Sequence, residues 1–149
     1  MATNQLLLQL WEINQSKFQT LLSMVTDANL KYRLDPTTAT VGHMSCHTAE
    51  AQLFLAKLFL YLDMPSFVSK ARGVDAGNEY SLEEINDLAK QGRDLISKSI
   101  LKMPAHKWFE EIEVKHFGKI TPFKGLALMM NHTAHHCGQI EQAVKKGKI

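Results

Sequence analysis

Cysteine is scarce in this chain, with two residues, Cys46 and Cys137, among 149. Two are too few for a disulfide scaffold, and neither belongs to a Cys-x-x-Cys pair, so both read as reduced core thiols. A strong excess of one charge is also missing. The net charge is +2, and the one local cluster, Lys145, Lys146 and Lys148, suits a solvated tail that complements a helix C-terminus. Nucleic acid is therefore not an expected partner. Long apolar runs are absent too. Leu6-Leu7-Leu8 is followed by Gln9, Glu12 and Asn14 and by no small-residue cleavage site, so the reading is a cytoplasmic protein with no membrane partner.

What is present is ordinary for a water-soluble globular chain, 45% hydrophobic and 21% charged. Its length suits a single domain, residues 1–149, able to bury a core without staples. No internal repeat or low-complexity segment interrupts it.

Four segments carry a helical period. Over about residues 3–26, Leu7, Trp11, Phe18, Leu21 and Val25 form one stripe, with Asn14 as its polar exception. Asp35-Pro36 then breaks the chain, and Thr37 or Thr38 is the expected cap of the next helix. That helix, about 39–62, places Met44, Thr48, Ala51, Leu55, Leu58 and Leu62 inward, and Asp63-Met64-Pro65 is expected to stop it. Residues 63–80 read as a long crossover with a short helical turn around Phe67 and Val68. Ser81-Leu82-Glu83-Glu84 is a capping box, with the serine serving N3 and Glu84 reaching back. It opens a third helix over 82–102, which Met103-Pro104 ends. Between 105 and 120 the period vanishes, and Glu113 to Ile120 alternates around Gly118, as a short hairpin or an extended loop would. Thr121-Pro122 supplies N-cap and N1 of a fourth helix, with Phe123, Leu126, Met129, Met130, Ile140 and Val144 recurring at threes and fours and Gly147 at its end. Four such segments predict an all-α, four-helix bundle.

The candidate chemistry lies on the second and fourth helices. His132 and His136 are one turn apart and share a face, while His135 is rotated away toward solvent or a subunit contact. A second His-x-x-x-His pair, His43 and His47, lies near the inward face of helix two. With 7 histidines in the chain, chance supplies roughly 0.3 such pairs, and two are present. Two imidazoles on adjacent turns can grip one divalent ion, and a third ligand from another helix completes a site. The expected ligands are His47, His132 and His136. A hydrogen-bonded core histidine occupies such positions equally well, so the reading depends on the two helices bringing these rings together. His43 is an alternate or supporting group, and Cys46 and Cys137 lie beside ligands but about 100° around their helices. Glu50 and Gln139 could orient a ligand or substrate, against a plainer packing or surface role. Trp11, Trp108 and Phe117 could line a pocket, although aromatics at such spacing usually form core. His106 and His116 receive no role.

Met44-Ser45-Cys46-His47-Thr48-Ala49-Glu50-Ala51, taken with His132-x-x-x-His136-x-Gly138-Gln139 and the Thr121-Pro122-Phe123 helix entry, resembles the DinB/YfiT-like superfamily over nearly the whole chain. The resemblance implies a four-helix bundle with a three-histidine divalent site at His47, His132 and His136, and a homodimer. It also implies thiol-dependent transfer or isomerisation with a low-molecular-weight thiol as activities of relatives. The family often carries arginine after the last histidine. Cys137 stands there in this chain, so no arginine role transfers.

Three neutral imidazoles leave a divalent ion an open position, as catalytic sites require. Zinc or nickel suits such ligands, with iron or copper also within their range. Three functions follow: a metal-dependent transferase or hydrolase acting on a small molecule, a non-catalytic bundle stabilised by metal, or a ligand-binding stress-response module.

Overall fold

The computed structural model describes residues 2–64 and 66–149. It is a four-helix bundle, α1 (Thr3–Leu22), α2 (Val41–Phe59), α3 (Leu82–Lys102) and α4 (Pro122–Lys146), with a short antiparallel hairpin, β1 (Ile112–Val114) and β2 (Gly118–Ile120), before α4. Each of α1 and α2 packs against both α3 and α4. The hairpin pairs Ile112 with Ile120 and Val114 with Gly118, and its turn passes through His116 and Gly118, both at positive φ.

Two apolar clusters fill the bundle. One gathers Trp11, Leu53, Phe59, Ile96, Trp108 and Met129; the other gathers Phe18, Val41, Ala49, Ile85 and Ile140. Both tryptophans are fully buried core residues rather than pocket walls. Trp108 Nε1 donates to Asn4 Oδ1 at 2.8 Å. Asn14, the polar exception on α1, donates to the Met130 carbonyl at 2.9 Å and so ties α1 to α4. A buried polar pair holds α2 to α4, with Gln52 Nε2 donating to Thr133 Oγ1 at 3.0 Å.

Several boundaries differ from those expected. Helix α1 stops at Leu22 rather than near residue 26. The nearly buried Asn29 turns the chain there, accepting from the Thr26 amide and donating to the Met24 carbonyl. The cap of α2 is Thr40, not Thr37 or Thr38, and its side chain accepts from the His43 amide. Thr37 instead closes a turn on Asp35. Helix α2 ends at Phe59 because Tyr61 takes φ +54; Pro65, expected to help stop it, lies outside the described residues.

Of the stripe expected for α2, Met44, Thr48 and Leu62 are buried, and Leu53, Ala56 and Phe59 join them fully buried. Ala51, Leu55 and Leu58 border an open cleft, with Leu55 and Leu58 also packed on the core. Phe123 does not belong to the core stripe of α4. It is 43% exposed and packs on Phe109 with ring centroids 5.7 Å apart. Ser81 caps α3 as expected by accepting from the Glu84 amide, but Glu84 turns away to bind Lys70 Nζ at 2.7 Å.

The crossover contains no helical turn at Phe67 and Val68. Its order comes from hydrogen bonds to α2. Asp75 accepts from the amide and hydroxyl of Thr40, and His43 reaches Tyr80 Oη and the Gly73 carbonyl. Glu50 accepts from the amides of Lys70 and Ala71 and from the Ser69 hydroxyl. Desolvation pulls the Asp75 carboxyl upward, but these Thr40 bonds and one from the Gly77 amide leave it below its ordinary pKa.

Candidate metal centre

Helices α2 and α4 bring His47, His132 and His136 together. Their ligand nitrogens all lie within 4.8 Å of one another. Nε2 of His132 is 3.2 Å from Nε2 of His47 and 3.2 Å from Nε2 of His136. Nitrogens bound at about 2.0–2.1 Å to one tetrahedral ion stand about 3.3 Å apart, close to the two separations that His132 makes.

The outer ring nitrogens fix the tautomers. His47 Nδ1 lies 2.9 Å from the Ala71 carbonyl oxygen, and His136 Nδ1 lies 2.7 Å from Gln139 Oε1. The Ala71 carbonyl only accepts, so His47 Nδ1 carries the proton and its Nε2 turns a lone pair inward; with Gln139 presenting Oε1, the same holds for His136. His132 Nε2 can donate a proton to one neighbour at most. At least one close contact therefore leaves an inward lone pair with no proton to accept, which a cation between the rings would satisfy.

The protonation equilibria agree with this arrangement. Burial, followed by the fields of His136 and His47, pushes His132 down from 6.5 to about 4. Burial also lowers His136, against the opposing hydrogen bond to Gln139. His132 is thus neutral at physiological pH, the form that binds metal. The donor set of three imidazoles could hold a divalent ion.

The other candidate residues sort by contact. Both ring nitrogens of His43 are engaged with the crossover, and its ring stacks parallel to His47 with centroids 6.2 Å apart. It is a packed histidine. Glu50 is buried, not on the surface, and its carboxylate binds the stretch containing Ala71, so it supports His47 through that residue's carbonyl. Its sequence signal is only that a carboxylate follows His47 by three. Gln139, exposed, supports His136 directly.

Burial, then the Glu50 charge, pushes the Cys46 thiol up to about 12, and burial pushes Cys137 up to about 11. Both are free and buried, and neither is a thiolate at neutral pH.

The triad opens on a cleft of about 930 Å³ that His47, His132 and His135 border. His135 is exposed, as expected, and its ring meets His136 edge-on at 5.2 Å. Phe54, Phe67, Phe117 and Leu128 supply an apolar wall. Phe117 thus keeps its expected pocket role, packing edge-on against Phe59 at 5.0 Å. The sequence concealed this cleft because Ala51, Leu55 and Leu58 continue the helical period of the core, while Phe67 and Phe117 come from the crossover and the hairpin turn.

Comparison with known proteins supports the same architecture. The family model described as the DinB superfamily matches residues 10–140. No curated protein matches the sequence. Among solved structures, a DinB-like protein of Bacillus cereus superimposes with a TM-score of 0.79 at 20% identity, over 94% of this chain and 89% of that one. A DinB-like protein of Bacillus subtilis gives 0.70 at 14% identity, over 94% and 90%. A conserved protein of Enterococcus faecalis gives 0.67 at 16%, over 98% and 97%. Among the described residues no helix is long and apolar enough to cross a membrane.

Proposed function

The chain belongs to the DinB superfamily, and from that premise we propose that it is a divalent-metal-dependent enzyme acting on a small molecule, by thiol-dependent transfer or by hydrolysis. The observation that carries this reading is the convergence of three imidazole nitrogens within 4.8 Å at the edge of an open cleft. His47, His132 and His136 would hold the ion, which would supply Lewis acidity toward a water or a substrate thiol. The chain itself supplies neutral ligands, Ala71 and Gln139 to aim two of them, and an apolar wall that receives the substrate body and limits water. A homodimer in the cytoplasm is part of the same proposal, and sedimentation velocity measures its assembly state.

Metal analysis of protein purified without chelators tests the assignment. One ion per chain is expected in wild type, with loss in His47→Ala and His136→Ala. Metal-free wild type would remove the proposal.

One observation favours a second reading, a bundle that metal only stabilises. Glu50, the acidic side chain in the cleft wall, is already committed to the crossover, which leaves it poorly placed as a general base. That reading predicts a higher melting temperature with metal and no turnover of thiol or ester substrates, whereas the enzyme reading predicts turnover that chelation abolishes.

A further inference from the structure

We propose that Arg72 is the anion-binding group of the cleft and that the ligand is a small carboxylate with an apolar body, its far end held by the guanidinium while its reactive end faces the imidazoles. This rests on the metal-site reading and adds a substrate class to it.

Arg72 borders the same cleft as His47 and His132. It follows Ala71, whose carbonyl binds His47 Nδ1, so the backbone that aims one ligand also carries the cation. That backbone is anchored: Glu50 binds the amides of residues 70 and 71, and Asn78 donates to the Lys70 carbonyl. Among the described residues no carboxylate pairs with Arg72, although its neighbour Lys70 is matched to Glu84.

The charge balance of the cleft points the same way. Its second cation, Lys57, donates to the Met64 carbonyl. Its carboxylate, Glu50, is buried and accepts from two amides and the Ser69 hydroxyl. The Glu50 oxygens are therefore already engaged by donors, whereas the exposed Arg72 bordering the cleft can match a carboxylate in two parallel hydrogen bonds. Much of the remaining cleft wall is apolar. Phe54, Phe67, Phe117 and Leu128 are 36–49% exposed and line this cleft, as the body of such a ligand requires.

The test compares two probes that differ only at the far end, para-(mercaptomethyl)benzoate and its methyl ester. Binding to wild type, Arg72→Gln and Arg72→Lys is read by calorimetry, and cobalt-loaded samples report separately on thiol coordination. The acid is expected to bind wild type about five- to tenfold more tightly than the ester. That ratio should collapse toward one in Arg72→Gln and be partly kept in Arg72→Lys, with metal content unchanged. Equal binding of acid and ester to wild type, or a preference that survives in Arg72→Gln, overturns the proposal. Failure to take up cobalt, or no spectral change with either thiol, counts instead against the metal site. The calorimetric acid-to-ester ratio still decides the role of Arg72 in that case.

Discussion

His47 Nδ1 sits 2.9 Å from the carbonyl oxygen of Ala71, across 24 residues of chain. A metal-binding imidazole is only as well aimed as the group that holds its other nitrogen. Here that group is main chain in a segment without secondary structure, so its position depends on whatever fixes residues 69–71. Glu50 does this. Glu50→Gln replaces a pure acceptor with an amide whose NH₂ group faces backbone donors. Loss of these bonds is expected to cost about 1–3 kcal/mol of stability and to weaken metal binding about 10- to 100-fold. Competition with a chromophoric chelator measures the second effect. A variant that loses stability but keeps full metal affinity would show that the crossover aims His47 without this carboxylate.

That dependence also marks the limit of what the sequence revealed. Thr121-Pro122 and Ser81 identified their helix starts because capping is decided within four residues. The meeting of His47 with His132 and His136 was legible because helical period assigns faces, and few faces can meet in a bundle. Residues 66–80 were not legible. Their conformation is held by Thr40, His43 and Glu50 from another element, and nothing local announces it. The α2 stripe was legible only in part: Leu55 and Leu58 keep the helical period and pack on the core, but they also border the cleft, which the period does not reveal.

The protonation of His132 gives the metal-free protein a defined acid sensitivity. Its folded pKa of about 4 lies below the ordinary 6.5. Between those values the unfolded chain binds more protons than the native one, so stability rises with pH across the window. Metal-free wild type is expected to lose stability progressively as pH falls from about 6.5 to about 4, with no further loss from this residue below that. In His132→Asn this part of the slope should vanish, leaving the share of His136, whose pKa is also lowered by burial. Denaturant midpoints across the pH range measure it, and parallel slopes in the two proteins would contradict the assignment.

His43 offers the sharpest contrast with the three proposed ligands. Both its ring nitrogens already have partners in the crossover, so His43→Ala should leave one metal per chain while lowering stability by about 1–3 kcal/mol, the cost of groups left unpaired in a buried site. Metal analysis and chemical denaturation on the same preparation separate these outcomes. A loss of metal matching that in His136→Ala would make His43 a ligand.

Two glycines of α4 have opposite structural roles. A Cβ at Gly125 would overlap the Phe59 ring, and Phe59 in turn supports Phe117 in the cleft wall. Overpacking of this kind costs about 1–3 kcal/mol, so Gly125→Ala should destabilise the bundle and disturb the apolar wall together. A Cβ at Gly138 would meet nothing within 4 Å. There, in an exposed helical stretch between His136 and Gln139, alanine should stabilise by about 0.5–1 kcal/mol through its better helix propensity. Chemical denaturation of both variants checks the pair. The Gly138→Ala variant also bears on the site, because the fold makes no demand for glycine at that position. If its stability rises while metal binding is kept and thiol turnover falls, the bare backbone there is needed by something that approaches the metal centre from outside the chain.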